Sequence, residues 1–268
     1  MQKLSSGIQV AEKALEHSHE AAMTHCLNCA RALPGPYCTY CGQKASTHRY
    51  SIKHFVMHDL VHGVWHVDKG LLFTLQGLFS RPGHSIRAFI EGKRVQYFNC
   101  ITLIALILGV GHFLGALSPV KLADIYPEAS RAAMSAVENL MAKYPKLVLL
   151  FTIPMYSLFS FLWFRKARLN GTEHLVLNTY KAAAEMIIGL LFSIIAVFYH
   201  NKEVLYVIYN GISLLVLVYS VWFYYQYFSG FGYKRYSLLL RSLMIPVCIS
   251  AFYLVIGIIT AIMTRKAS

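Results

Sequence analysis

Five long apolar stretches constrain this chain more than anything else in it. They cover residues 101–120, 147–164, 182–199, 204–228 and 242–263. Each is near the ~20 apolar residues a helix needs to cross a ~30 Å hydrocarbon core, allowing for tilt. Backbone polar groups at that depth must be satisfied internally, so each stretch is predicted to be helical. Pro154 and Pro246 fall within or near the start of such stretches, where neighbouring helices can re-satisfy the freed carbonyls. The chain is 56% hydrophobic and 14% charged, against about 45–50% and about 25% in a soluble domain. The predicted fold class is an all-α, multi-span membrane protein with a small soluble module in front of it.

The formal net charge of +13 has three candidate causes: topology signalling, anionic lipid and nucleic acid. No nucleic-acid-binding signature is present, so nucleic acid is not an expected partner. Basic residues cluster before the first stretch (Lys53, Lys69, Arg81, Arg87, Lys93, Arg94), after the second (Arg165, Lys166, Arg168) and after the fourth (Lys234, Arg235, Arg241). Counted near the span ends, they place the N-terminus in the cytoplasm and the C-terminus in the periplasm, with Arg265-Lys266 counting against this. Residues 1–23 carry Lys3, Glu12, Lys13, Glu16 and Glu20, which leave no apolar core for a signal peptide. Residues 1–25 are expected to be a loosely ordered segment.

Four of the six cysteines form two Cys-x-x-Cys pairs, Cys26/Cys29 and Cys38/Cys41, while Cys100 and Cys248 stand alone in apolar surroundings. This spacing brings four thiolates to one tetrahedral ion, and zinc suits it, ahead of an iron or redox role. Pro34-Gly35-Pro36 favours a tight turn between the pairs, and Gly42 allows a positive φ behind the last cysteine. Four cysteine ligands leave no open coordination position, so the zinc-ribbon-like module over residues 26–43 is expected to be structural. Such a module folds with its metal and displays a surface. Cysteines used this way belong in a reducing compartment.

Residues 51–97 join the module to the first span. Ile52, Val56, Leu60, Val64, Val67, Leu71, Leu75 and Leu78 recur at spacings of four and three, which marks one face of a helix. Ser80-Arg81-Pro82-Gly83 stops it, and a second helix carries Ile86, Phe89 and Ile90. Neither reaches the length of a span, so an amphipathic pair on the membrane surface is expected. His54, His58, His62 and His66 form a slanted ladder on the first helix, a candidate second metal or proton site. Arg81, Lys93 and Arg94 are candidate contacts to lipid phosphates. Residues 121–146 have room for a short helix outside the membrane.

Polar residues within or beside the spans form a third set of candidates. Glu185, one turn into the third span, either pairs with Lys181 or marks a polar site. Glu173-His174 precedes that span, and His112 in the first span suits a helix–helix hydrogen bond. No phosphate-binding loop, dinucleotide fingerprint, Gly-x-Ser-x-Gly or His-Glu-x-x-His is present. No catalytic residue is assigned, and an enzyme is not the favoured reading.

Several of these residues together resemble a known pattern. They are Cys26, Cys29, Cys38 and Cys41-Gly42-Gln43; His66-Val67-Asp68-Lys69-Gly70; Thr74, Leu78 and Arg81-Pro82-Gly83; Gly92-Lys93-Arg94 and Tyr97; and Glu173-His174-Leu175-Val176. The chain resembles the Bacteroidetes-type bacterial membrane proteins grouped as domain of unknown function 3667. The resemblance runs from the cysteines through the third span. One departure is Cys100, where the family tends to have proline. The resemblance implies a multi-pass protein of a bacterial inner membrane and no particular activity.

The expected function is a non-enzymatic adaptor whose zinc module binds a cytoplasmic protein at the membrane. Anionic lipids and a second copy of the chain are further candidate partners. The alternative is a transporter or lipid-handling protein with a polar path at Glu173, His174 and Glu185. A weaker alternative is an enzyme with a second metal on the histidine ladder.

Overall fold

The computed structural model describes residues 25–47, 49–50 and 70–267. The expectations for residues 1–24 and for the histidine ladder at His54, His58, His62 and His66 lie outside the described residues. Helix α1 spans Gly70–Ser80 and α2 spans Pro82–Ile90. Pro82 opens α2 at its first turn, where a missing N–H costs nothing, and the same ring ends α1. Helix α3, Cys100–Leu117, is capped by Asn99, whose Oδ1 accepts from the Ile101 and Thr102 N–H groups at 2.8 and 3.1 Å. The first span thus starts at a side-chain cap.

At the far end of α3 lie two helices outside the long apolar runs, α4 (Leu122–Ile125) and α5 (Glu128–Lys143). The Glu138 carboxylate accepts from the Leu122 and Ala123 N–H groups at 3.1 Å each, which ties α5 to α4. Then follow α6 (Pro145–Trp163), α7 (Gly171–Phe198), α8 (Lys202–Phe228) and α9 (Arg235–Ala267). Helices α3, α6, α7, α8 and the first part of α9, Arg235–Tyr253, are long and apolar enough to cross a membrane. Among the described residues the fold is helical, apart from isolated bridges near the cysteines.

Helix α7 begins at Gly171, well before the expected start at residue 182. Glu173, His174, Asn178 and Lys181 lower the local hydropathy, yet all four are buried. An Asn170–Glu173 capping box fixes the start: Asn170 Oδ1 accepts from the Glu173 N–H at 2.8 Å, and Glu173 Oε2 accepts from the Asn170 N–H at 2.9 Å.

Helix α7 is the centre of the bundle, with α3, α6 and α8 packed on it. The tightest core sits at one end of the bundle. Leu78, Ile86, Phe164, Leu177, Tyr180, Phe223, Tyr227 and Phe228 are fully buried there. Elsewhere large apolar side chains face outward, Phe151 at 71% and Val207 at 70% exposure. Lipid accepts such side chains at no hydrophobic cost, so the spans need little mutual burial.

The buried end is where α1 and α2 join the bundle. Pro82, Gly83, Ile86, Phe89 and Ile90 of α2 are buried, and α2 packs chiefly against α8. A Cβ on Gly83 would lie 2.1 Å from the Tyr227 backbone nitrogen, so only glycine fits. Arg87 Nη1 donates to the Tyr227 carbonyl at 3.1 Å, placing a cation near the carbonyl end of α8. The apolar face of the second amphipathic helix is therefore taken by protein.

Candidate functional site

The four cysteines converge. Their sulfurs lie within 4.8 Å of one another, with Cys26–Cys41 at 3.6 Å and Cys29–Cys38 at 3.5 Å. Each pair sits in the same backbone turn. Cys26 N–H donates to the Arg31 carbonyl and Ala30 N–H to the Cys26 carbonyl; Cys38 and Gly42 repeat this with Gln43 and Cys38. Bridges His25–Ala32 and Tyr37–Lys44 close the two turns. The residue after each second cysteine is left-handed, with φ 76° at Gly42 as expected and 60° at Ala30. Such turns aim N–H groups at sulfur. The N–H groups of Cys41 and Tyr40 lower the Cys38 thiol from its ordinary value to about 6. The Cys29 thiol beside it is pushed the other way, up to about 11, so one proton is shared unevenly within the pair. Four converging sulfurs can hold a metal ion.

This module is docked on the bundle. Buried Gln43 donates from Nε2 to the Gly92 carbonyl at 2.9 Å and accepts at Oε1 from the Arg94 N–H at 3.3 Å. Gly92 has a φ of 115°, and a Cβ there would lie 2.7 Å from Leu27 Cδ1. The Gly92-Lys93-Arg94 step thus receives one side chain from each knuckle, Leu27 and Gln43. The Arg94 guanidinium lies 3.9 Å over the Tyr50 ring, and its Nε donates to the Phe89 carbonyl at 3.4 Å.

A second attachment follows the module. Arg49 grips Glu173 with both arms, Nε to Oε1 at 2.7 Å and Nη2 to Oε2 at 2.6 Å. Asn170 Nδ2 donates to the Tyr50 carbonyl at 3.0 Å beside it. Glu173 is 2% exposed, and its carboxylate holds the cap of α7 and the arm of Arg49 together.

A polar seam runs along one face of α7, through His174, Asn178, Lys181 and Glu185 at steps of four, three and four. Ser160 Oγ of α6 lies 2.8 Å from His174 Nδ1 and 3.0 Å from Asn178 Nδ2. Ser160 Oγ also lies 3.0 Å from the Ser157 carbonyl. The Tyr224 hydroxyl of α8 donates to Asn178 Oδ1. Lys181, 1% exposed, lies 2.7 and 2.8 Å from the two Glu185 oxygens and 3.8 Å over the Tyr156 ring. The seam pins α6, α7 and α8 to one another.

Of the lipid-contact candidates, Arg81 and Lys93 are exposed at the docked end, while Arg94 is half-buried in the contacts above. Glu173 and His174 are adjacent yet serve different partners, Arg49 and Ser160. Glu185 pairs with Lys181, one turn earlier, as one of the two readings anticipated. His112 is exposed rather than turned to a neighbouring helix. Sequence reasoning missed Gln43 and Arg49, whose partners lie 49 and 124 residues away. It also missed Asn178 as a seam member, although its spacing from His174 and Lys181 was visible.

Comparison with curated proteins and with solved structures gives no match. A family model does match, and it covers α1, α2, the Gly92–Arg94 step and the first part of α3, the segment that receives the cysteine module and docks on α8. The resemblance read from the motifs therefore holds for that segment: residues 68–110 match the family described as protein of unknown function (DUF3667).

Proposed function

We propose that this protein is a non-enzymatic membrane adaptor whose four-cysteine module holds zinc and presents a binding face to a protein partner. The observation that carries the reading is the docking. Gln43 and Leu27 at Gly92 and Arg49 at Glu173 fasten the module to the helix bundle at two points, so a load on the module passes to the membrane domain. The sulfur separations of 3.5–3.6 Å approach the edge of about 3.8 Å expected for tetrahedral Zn–S bonds of about 2.3 Å. Zinc there would be structural, in a ribbon-like fold.

The module carries Arg31 stacked 3.4 Å over Tyr40, with Tyr40 64% and Tyr37 53% exposed. Arginine and tyrosine are the side chains that anchor protein interfaces. The basic residues Arg81, Arg87, Lys93, Arg165, Lys166, Arg168 and Lys234 lie at this same end of the bundle. By the positive-inside rule we assign that end to the cytoplasm of a bacterial inner membrane, and the C-terminus to the periplasm. The polar seam supports the adaptor over a transport path. Its groups are paired with one another, as a packing device requires.

In-cell photo-crosslinking from position 40 tests the reading. A discrete protein adduct that disappears in Cys38→Ser is expected. Absence of any adduct, or one indifferent to Cys38→Ser, would overturn it.

A further inference from the structure

We propose that a groove between α8 and α9 seats an anionic glycerophospholipid, with its phosphate on Arg235 and an acyl chain along the apolar floor. The groove has a volume of about 550 Å³ and is lined by Val218, Trp222 and Tyr225 of α8 and by Arg235, Leu239 and Leu243 of α9. Arg235 is its one charge.

The occupant follows from the lining. On α9 the wall runs from residue 235 to 243, about 12 Å at a rise of about 1.5 Å per residue. That fits within one leaflet, about half of a ~30 Å hydrocarbon core. The Arg235 end of the groove lies at the end of the bundle that carries the cysteine module, because α9 begins there. Trp222, Tyr225 and the 90% exposed Tyr236 line the groove, and they are the aromatic side chains that favour the headgroup level.

Arg235 differs from Arg49, Arg87 and Arg241. Arg49 is held by Glu173, Arg87 by the Tyr227 carbonyl, and Arg241 by the Trp163 carbonyl and Ser237. Among the described residues no carboxylate pairs with Arg235. The first turn of α9 has no acidic side chain, so its N-terminal partial positive charge adds to that of Arg235. An exposed guanidinium at the top of an apolar groove matches a phosphate at the top of an acyl chain.

The inference requires α8 and α9 to cross a membrane and is independent of what the cysteine module binds. Native mass spectrometry of the full-length protein in detergent tests it, with phosphatidylglycerol and phosphatidylcholine of identical acyl chains as probes. Preferential retention of phosphatidylglycerol is expected. Arg235→Gln should reduce that preference about fivefold, the worth of one basic contact to an anionic lipid. Leu239→Trp, at a half-exposed position on the floor, should reduce retention of both lipids. Arg165→Gln removes an exposed charge at the same end and should leave retention unchanged. An unchanged thermal unfolding midpoint in detergent in each variant reports folding. Wild-type preference in Arg235→Gln, or an equal loss in Arg165→Gln, would overturn the site.

Discussion

Arg49 and Glu173 are 124 residues apart, and each arm of the guanidinium meets one carboxylate oxygen, at 2.7 and 2.6 Å. Glu173 also caps α7 by accepting from the Asn170 N–H. One buried carboxylate therefore closes the N-terminus of the central helix and holds the chain that leaves the cysteine module. The helix N-terminus and the arginine both favour the same negative charge.

Replacing Glu173 with Gln separates these two tasks. Glutamine still serves in a capping box, so the α7 start should persist. The charge-assisted grip on Arg49 is lost, at a cost of about 1–2 kcal/mol. We expect a fall of a few degrees in the thermal unfolding midpoint in detergent. Hydrogen exchange should quicken around residues 49–50 and not along α7. Equal loss of protection in α7 would show that the two tasks are one.

Gly92→Ala should undock the cysteine module. The new Cβ meets Leu27, and the φ of 115° strains any residue with a side chain, at about 1–3 kcal/mol. Adding Leu27→Ala relieves the contact but not the backbone, so the double variant should recover only part of the stability. Protease sensitivity between residues 44 and 49, with bound metal measured alongside, checks this. Full recovery in the double variant would mean that backbone strain is negligible there.

Metal content should follow the cysteines. Cys38→Ser and Cys26→Ser, each removing one of four converging ligands, should lose the tightly held ion, measured as metal per chain after a chelator wash. The loss should also loosen residues 25–47, since such turns fold around their metal. Undiminished tightly bound zinc in a variant lacking all four cysteines would place the metal elsewhere in the chain.

Lys181 and Glu185 should behave as a unit. Lys181→Met leaves a carboxylate among buried side chains without its cation and should cost about 3–5 kcal/mol. Pairing it with Glu185→Gln removes both charges and should restore much of that loss, with a coupling of about 1–3 kcal/mol. A double-variant cycle on thermal or denaturant unfolding gives the number. Additive effects would contradict the pairing at 2.7 and 2.8 Å.

How much of this was legible beforehand depended on distance along the chain. Helices α3, α6 and α8 could be placed to within a few residues, because hydropathy over about 20 residues is a local property. The four-cysteine cluster was legible for the same reason, since two Cys-x-x-Cys turns joined by a short loop leave the sulfurs little else to do. Helix α7 was cut short, because a hydropathy window penalises Glu173, His174, Asn178 and Lys181 without knowing that each is itself buried against a polar partner. The Asn170-x-x-Glu173 signal of a capping box was in the sequence and marks the true start.

The amino-acid order alone thus settled that the chain is helical, has five runs able to cross a membrane and brings four thiolates together. Tertiary structure decided that Gln43 and Leu27 grip the Gly92–Arg94 step, that Arg49 reaches Glu173, and that Arg87 and Arg241 are tied down while no carboxylate among the described residues pairs with Arg235. Periodicity specifies which face of a helix is apolar or polar, but not which neighbour covers it. That choice rests on contacts between residues far apart in the chain, and it becomes visible only once the helices are packed.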